Sequence, residues 1–187
     1  LLAHLTAASS VRRGDLTVML CCPPCTDFSR AKPVRTGVCD INDAVLGLAD
    51  VFRPRLKSQR VALDIFPSAS PLPIRGDRDV VEQILTNILI NAIHALDKVA
   101  HPRIVIQSRF EDAYAIISVA DNGPGVPADI RNRLFDPFFS TKFVGRGLGL
   151  AIVSGIVRTC RGAILVNSEP GSGTTVQVLI PAVQRDE

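Results

Sequence analysis

The chain has 187 residues, 47% hydrophobic and 21% charged, with a formal net charge of +3. That is enough apolar material for one core and a small appendage, and it argues against a disordered chain. No stretch of about 18 apolar residues runs free of charge or proline, which excludes a membrane span in this segment, and without a basic cluster the charge makes no case for nucleic acid.

The chain opens on Leu1-Leu2, with neither Met nor a basic leader, and reads as a piece of something longer. Cys21, Cys22, Cys25, Cys39 and Cys160 are odd in number and scattered, so a reducing, cytoplasmic setting is expected rather than a disulfide framework. Cys22 and Cys25 have CxxC spacing, but no second pair or HxxxH follows to complete a metal site.

In chain order, residues 1–22 carry apolar residues at helical intervals and predict a helix that Pro23-Pro24 must end, because proline lacks an N–H and clashes with the preceding turn. A linker over 27–33 and a short strand near Val34–Val38 follow. Asp40 is an expected N-cap for an amphipathic helix to about Lys57. Val61, Leu63 and Ile65 alternate as in a strand, and residues 68–73 read as loop. From Asp77 to about Lys98 the apolar residues Val80, Val81, Ile84, Leu85, Ile88, Leu89 and Ala92 keep a 3.6-residue period and predict the strongest helix of the chain. Strands are expected at Arg103–Arg109 and Ala113–Ala120, joined by a tight turn at Phe110-Glu111-Asp112. A long irregular stretch, Asp121–Arg146, then feeds a helix at about Gly147–Cys160. The strands Ala163–Ser168 and Thr174–Ile180 close the chain around a Glu169–Gly173 turn. Hairpins without strict βαβ alternation favour an α+β two-layer sandwich.

Three features carry chemistry. Nine of the 13 glycines fall within residues 121–175. Ordinary turns account for Gly171 and Gly173, but Gly145, Gly147 and Gly149 opening an apolar helix are costly unless backbone must approach something closely. Bare N–H groups at a helix start form an anion site, although the spacing matches neither a P-loop nor a Rossmann turn. Asn87 and Asn91, four apart, stack on one face of the long helix near its apolar side. Such amides either cap neighbouring loops or offer hard oxygens to Mg²⁺, which takes few protein ligands and completes its shell with water and phosphate. Asp121 leaves an apolar strand into Gly123-Pro124-Gly125; this is either turn chemistry or an acceptor for an exocyclic amine beside room for a flat ring.

Together these motifs resemble the ATP-binding domains of histidine kinases, members of the GHKL superfamily. Asn87–Ala92 is similar to the family's N box, Asp121–Gly125 to its first glycine box and Leu134–Phe139 to its F box. Gly145–Leu150 is similar to the second glycine box and Gly171–Thr174 to the last. Five motifs in family order over residues 77–181 make the match specific. The second glycine box is one Gly-x pair shorter than the commonest form, and Cys21–Cys25 looks inserted. Phe28-Ser29-Arg30 and Asp40-Ile41-Asn42 resemble the join to a preceding dimerisation helix.

The resemblance implies the Bergerat fold, a two-layer sandwich of a mixed, mostly antiparallel sheet with helices on one face. Residues 1–32 would be a remnant of the second dimerisation helix, and 33–187 the catalytic domain. It implies that Asp121 accepts from the adenine amino group with Thr174 nearby through water, and that Asn91 supplies an oxygen to Mg²⁺ with Asn87 beside the same phosphates. Lys142 would reach the terminal phosphates, and residues 143–149, including Gly145, Gly147, Leu148 and Gly149, would close as a lid. Gly123 and Gly125 would flank the base. The phosphoacceptor motif does not appear: His4, His94 and His101 lack its context and read as ordinary helix or loop histidines, so the acceptor is expected upstream.

The implied activity is transfer of the γ-phosphoryl of Mg-ATP to a histidine on a dimerisation helix, with a response regulator as onward acceptor and a homodimer as the whole protein, cytoplasmic in this part. Three alternatives remain: a hydrolase of the same superfamily, a serine kinase of the anti-sigma type, and a nucleotide-binding module without transfer. The hydrolases place a general-base Glu where this chain has Asn87, and an amide cannot take a proton from water.

Overall fold

The computed structural model describes residues 18–21, 37–131, 133–139 and 148–183. Eight strands and four helices occur among them: β1 (Val18–Cys21), β2 (Val38–Asp40), α1 (Ile41–Ser58), β3 (Ala62–Phe66), β4 (Pro73–Arg75), α2 (Arg78–Ala95), β5 (Arg103–Glu111), β6 (Tyr114–Asp121), α3 (Ala128–Arg131), α4 (Gly149–Thr159), β7 (Ala163–Glu169) and β8 (Gly173–Pro181). Six strands form one sheet in the order β1-β7-β8-β6-β5-β3, and β2 pairs with β4 beside it. Only β3–β5 is parallel; the other pairs are antiparallel. The mixed, mostly antiparallel sheet and its helical layer are the α+β sandwich expected from the sequence.

Inward residues alternate along the central strands. Ala115, Ile117 and Val119 of β6 and Val176, Val178 and Ile180 of β8 join the core beneath the helices, while Ile116, Leu165 and Leu179 form a smaller apolar cluster on the opposite face. With both faces buried, β6 is apolar almost throughout, and period 2 is hidden in its sequence. The long helix α2 buries Val81, Ile84, Leu85, Ile88, Leu89, Ala92 and Ile93, each large side chain contributing about 1.5–3 kcal/mol of transfer free energy. Its polar face thereby points away from the core.

Asp40 caps α1 as expected: Oδ1 accepts the Asn42 N–H at 2.8 Å and the Leu72 N–H at 3.2 Å. Asn42 is a structural clamp, its amide donating to the Ser68 and Ser70 carbonyls and its oxygen accepting the Ser108 hydroxyl at 2.6 Å. This pins the β3–β4 connection over the end of the sheet.

Two expectations are corrected. Residues 18–21 do not end a helix; they run antiparallel to β7 from Val18↔Val166 to Cys21↔Ala163. A short apolar run fits helix or strand equally, and the unpaired edge of β7 supplies partners that a helix end would lack. The rest of the expected N-terminal helix, the 27–33 linker and Cys22–Cys25 lie outside the described residues. The β5–β6 turn falls on Asp112 and Ala113, both at positive φ (48° and 68°), one step later than expected. Such a turn usually signals itself by Asn-Gly, and Asp-Ala does not. The three-residue β4, which begins on the last residue of the 68–73 loop, and the one-turn α3, inside the stretch read as irregular, carry no periodic signal at all.

Candidate functional site

The β6 and β8 ends, the C-terminal half of α2 and the start of α4 enclose a cleft of about 470 Å³. Its apolar walls come from Ile88, Ala92, Val119, Val166 and Val176, and its polar groups include Asn91, His94, Asp121 and Thr174. Few convergent polar groups in an apolar cavity of this size suit a small organic ligand.

Asp121 is the last residue of β6 and stands opposite Thr174 in the β6–β8 register. Its Oδ1 accepts the Gly123 N–H at 2.8 Å, which orients the carboxylate. Gly123 is small for a reason: a methyl there would lie 2.7 Å from that oxygen and 3.2 Å from the Ala95 Cβ. Gly125 takes φ +70°, and a methyl on it would strike the Glu169 carbonyl at 2.0 Å. Gly173, at φ +93°, is equally close to the Asp121 carbonyl. Glycine is therefore required at both positions by conformation and by contact. The Gly171 N–H donates to the Pro124 carbonyl at 2.8 Å and the Val126 N–H to the Ser168 hydroxyl at 2.9 Å. The 123–127 loop and the β7–β8 turn form one wall. Asn122, within the motif, points elsewhere and clamps the start of β5 through the Arg103 N–H and the His101 carbonyl.

Across the cleft, Asn87 and Asn91 share a face of α2 beneath the start of α4. A methyl on Gly149 would sit 3.4 Å from Asn87 Oδ1 and 3.4 Å from Asn91 Nδ2. Asn91 lines the cleft and is exposed. Asn87 is half-buried, donates its amide to the Gln83 carbonyl at 2.8 Å, and does not line the cleft. Leu148 precedes α4, and its carbonyl accepts the Ile152 N–H at 2.9 Å. Among the described residues no side chain caps this helix start and no acidic residue occupies its first turn, so its N–H groups suit an anion. Among the described residues no cluster of three His, Cys, Asp or Glu could cage a metal. The oxygen that Asn91 brings to the cleft fits a hard cation that arrives with phosphate and water as its main ligands. Lys142, Gly145, Gly147 and the lid expected over 143–147 lie outside the described residues.

Two groups at or beside the cleft were not singled out from sequence. His94, read as an ordinary helix histidine, lines the cleft three residues after Asn91; its place on the Asn91 face was the available signal. Ser168, 2% exposed, joins the 123–127 loop to the start of β8, and nothing in the sequence set it apart. The F-box residues divide their work: Leu134 and Phe135 pack on the core, and Phe139 lines the cleft with the Arg133 guanidinium 4.3 Å from its ring centre. Burial pushes the thiols of Cys39 and Cys160 up, the former further raised by Asp40 and Asp77, so both are poor nucleophiles. Among the described residues no helix is long and apolar enough to cross a membrane.

The sequence of residues 76–184, more than half the chain, matches the model of the family described as histidine kinase-, DNA gyrase B- and HSP90-like ATPase. The chain is 43% identical over 110 residues to the signal transduction histidine-protein kinase AtoS of Escherichia coli, covering 58% of this chain and 18% of AtoS. It is 32% identical over 171 residues to the sensor kinase CckA of Brucella abortus, covering 82% of this chain and 18% of CckA. The chain thus spans about a fifth of these relatives. Among solved structures, full-length ShkA in complex with AMPPNP superposes with a TM-score of 0.74 at 30% identity, over 82% of this chain and 32% of ShkA. The mycobacterial sensor histidine kinase MprB shares the fold, with a TM-score of 0.68 at 24% identity over 79% of this chain and 97% of that one. On its sequence, its sheet and its cleft, the chain belongs to the histidine kinase-, DNA gyrase B- and HSP90-like ATPase family, as an ATP-binding catalytic domain of the sensor histidine kinase type.

Proposed function

We propose that residues 33–187 bind Mg-ATP in this cleft and transfer its γ-phosphoryl group to a histidine on a dimerisation helix of the whole protein, a homodimer that passes the group on to a response regulator. The observation that carries the reading is one cleft lined at once by Asp121 with Thr174 and by Asn91 under Gly149. Asp121 takes the adenine amino group, and the apolar walls of the cleft take the ring beside the 123–127 loop. Asn91 faces the phosphates from the cleft lining and Asn87, against Gly149 just outside that lining, sits beside them, with the first N–H groups of α4 and Lys142 neutralising their charge. Magnesium supplies charge compensation across the phosphate chain when bound, and Asn91 is the side chain that would hold it. Phosphoryl transfer asks the protein for position and charge rather than covalent help, and amides, a helix start and one lysine provide that. Hydrolysis is disfavoured, because the Asn87 amide cannot accept a proton from water. That ShkA was solved with AMPPNP supports the nucleotide.

The test is to mix the chain with labelled Mg-ATP and a separately produced dimerisation domain from a related kinase. Label that appears on that domain, lost in acid and kept in base, is the expected phosphoramidate. Acid-stable label points to the serine kinase instead, and no label with free phosphate release points to a hydrolase.

A further inference from the structure

Ser168, near the end of β7, has a hydroxyl with three partners. It donates to the Gly173 carbonyl at 3.0 Å, accepts the Val126 N–H at 2.9 Å and lies 2.9 Å from the Thr174 hydroxyl. A serine owns one proton, and a carbonyl oxygen can only accept. With that proton committed to Gly173, the contact with Thr174 requires the threonine to be the donor. Thr174 then has only lone pairs to turn toward the cleft that it lines. Beside it in register stands Asp121, whose carboxylate offers further acceptors.

We infer that Ser168 is a positioning residue that fixes Thr174 as a pure acceptor, so that Asp121 and Thr174 together present a two-acceptor edge selecting a base with an amino group over one with a carbonyl at the same carbon. The inference rests on the seating of adenine at Asp121 proposed above. An amino group brings two donors to that edge; a carbonyl there brings lone pairs, and its ring carries a single N–H on the neighbouring N1, so the two acceptors are left with at most one proton between them, and buried polar groups left unpaired are what make such sites selective. The same serine also holds the 123–127 loop through Val126, so one hydroxyl joins the edge to the wall that confines the ring.

Titration of ADP and IDP in Mg²⁺ tests it: the sugar and phosphates are the same, with an amino group at carbon 6 and a bare N1 in the first, and a carbonyl and an N1–H in the second. The wild-type chain should prefer ADP. Ser168→Ala and Thr174→Val should each shrink the ADP:IDP preference by about threefold to tenfold, the share of one neutral hydrogen bond, and the double variant should shrink it no further. A merely structural serine would lower the melting point or weaken both nucleotides alike; an unchanged ratio in folded Ser168→Ala therefore overturns the inference. If Ser168→Ala does not fold, Thr174→Val decides alone, an unchanged ratio again overturning it. Asp121→Asn separates the two claims. Unchanged ADP affinity there removes the seating of adenine and the inference with it; weakened affinity alongside unchanged ratios in the other variants removes the inference alone.

Discussion

The two sides of the cleft are built in different ways. On the side proposed for the base, backbone meets backbone: a Cβ on Gly125 or Gly173 would strike the Glu169 or Asp121 carbonyl, and the Gly171 N–H reaches Pro124. On the side proposed for the phosphates, side chains at helical spacing, Asn87 and Asn91, meet a helix start at Gly149 with ordinary van der Waals room. The first wall is a consequence of strand register and loop interlock, so damage to it should cost stability and binding together. The second is a set of groups offered by elements that the core already holds, so damage to it should cost binding alone.

Gly125→Ala should show the largest effect. A Cβ at φ +70° is strained, and it would meet the Glu169 carbonyl at 2.0 Å; roughly 2–4 kcal/mol is expected from strain and displacement together, a fall of about 5–12 °C in thermal midpoint. Gly171→Ala is the control, with φ +85° and open space around it, and should cost only about 1 kcal/mol. Equal losses from the two would mean that strain, not interlock, makes the base wall.

Asp121→Asn comes next. The amide oxygen can still accept from the Gly123 N–H, so the melting point should hold, while the cleft loses its charged acceptor. Nucleotide affinity should drop by roughly 10- to 100-fold, the range for a hydrogen bond to a charged group. Calorimetry with Mg²⁺ and a non-cleavable ATP analogue reads it, and an unchanged affinity would take Asp121 out of the base site.

How much of this was legible in the sequence follows the same divide. The phosphate-side asparagines announce themselves, because two amides four residues apart in an apolar helix need a reason. So does Asp121, an acid leaving an apolar strand. The contacts that make the base wall were not legible: whether Gly125 meets Glu169, or Ser168 meets Val126 and Thr174, depends on the pairing of β7 with β8 and of β8 with β6. Composition and period say where strands are but not which atoms their ends bring together. β1 shows the converse, a helical pattern overridden by a sheet edge that only the folded chain supplies.

Asn91→Ala bears on the other wall. Its affinity for ATP in Mg²⁺ should fall about tenfold, whereas its affinity in EDTA should match the wild type, since the base wall is intact. An equal loss under both conditions would make Asn91 a phosphate ligand and remove it from the metal.

Gly149→Ala should have the smallest effect, and it separates the two walls most cleanly. The new methyl meets Asn87 and Asn91 at ordinary contact distance, and alanine is the better helix former by up to about 1 kcal/mol, so the melting point should stay level or rise slightly. That methyl nevertheless occupies the space between the asparagine amides and the first N–H groups of α4, where the phosphates are proposed to lie. ATP affinity should fall by about threefold to tenfold, comparable to one lost hydrogen bond, while adenosine, which has no phosphate to displace, should bind as it does to the wild type. A parallel loss for adenosine would mean that the methyl reaches the base wall and that the two sides are coupled through α2; no loss for either would move the phosphates away from the start of α4.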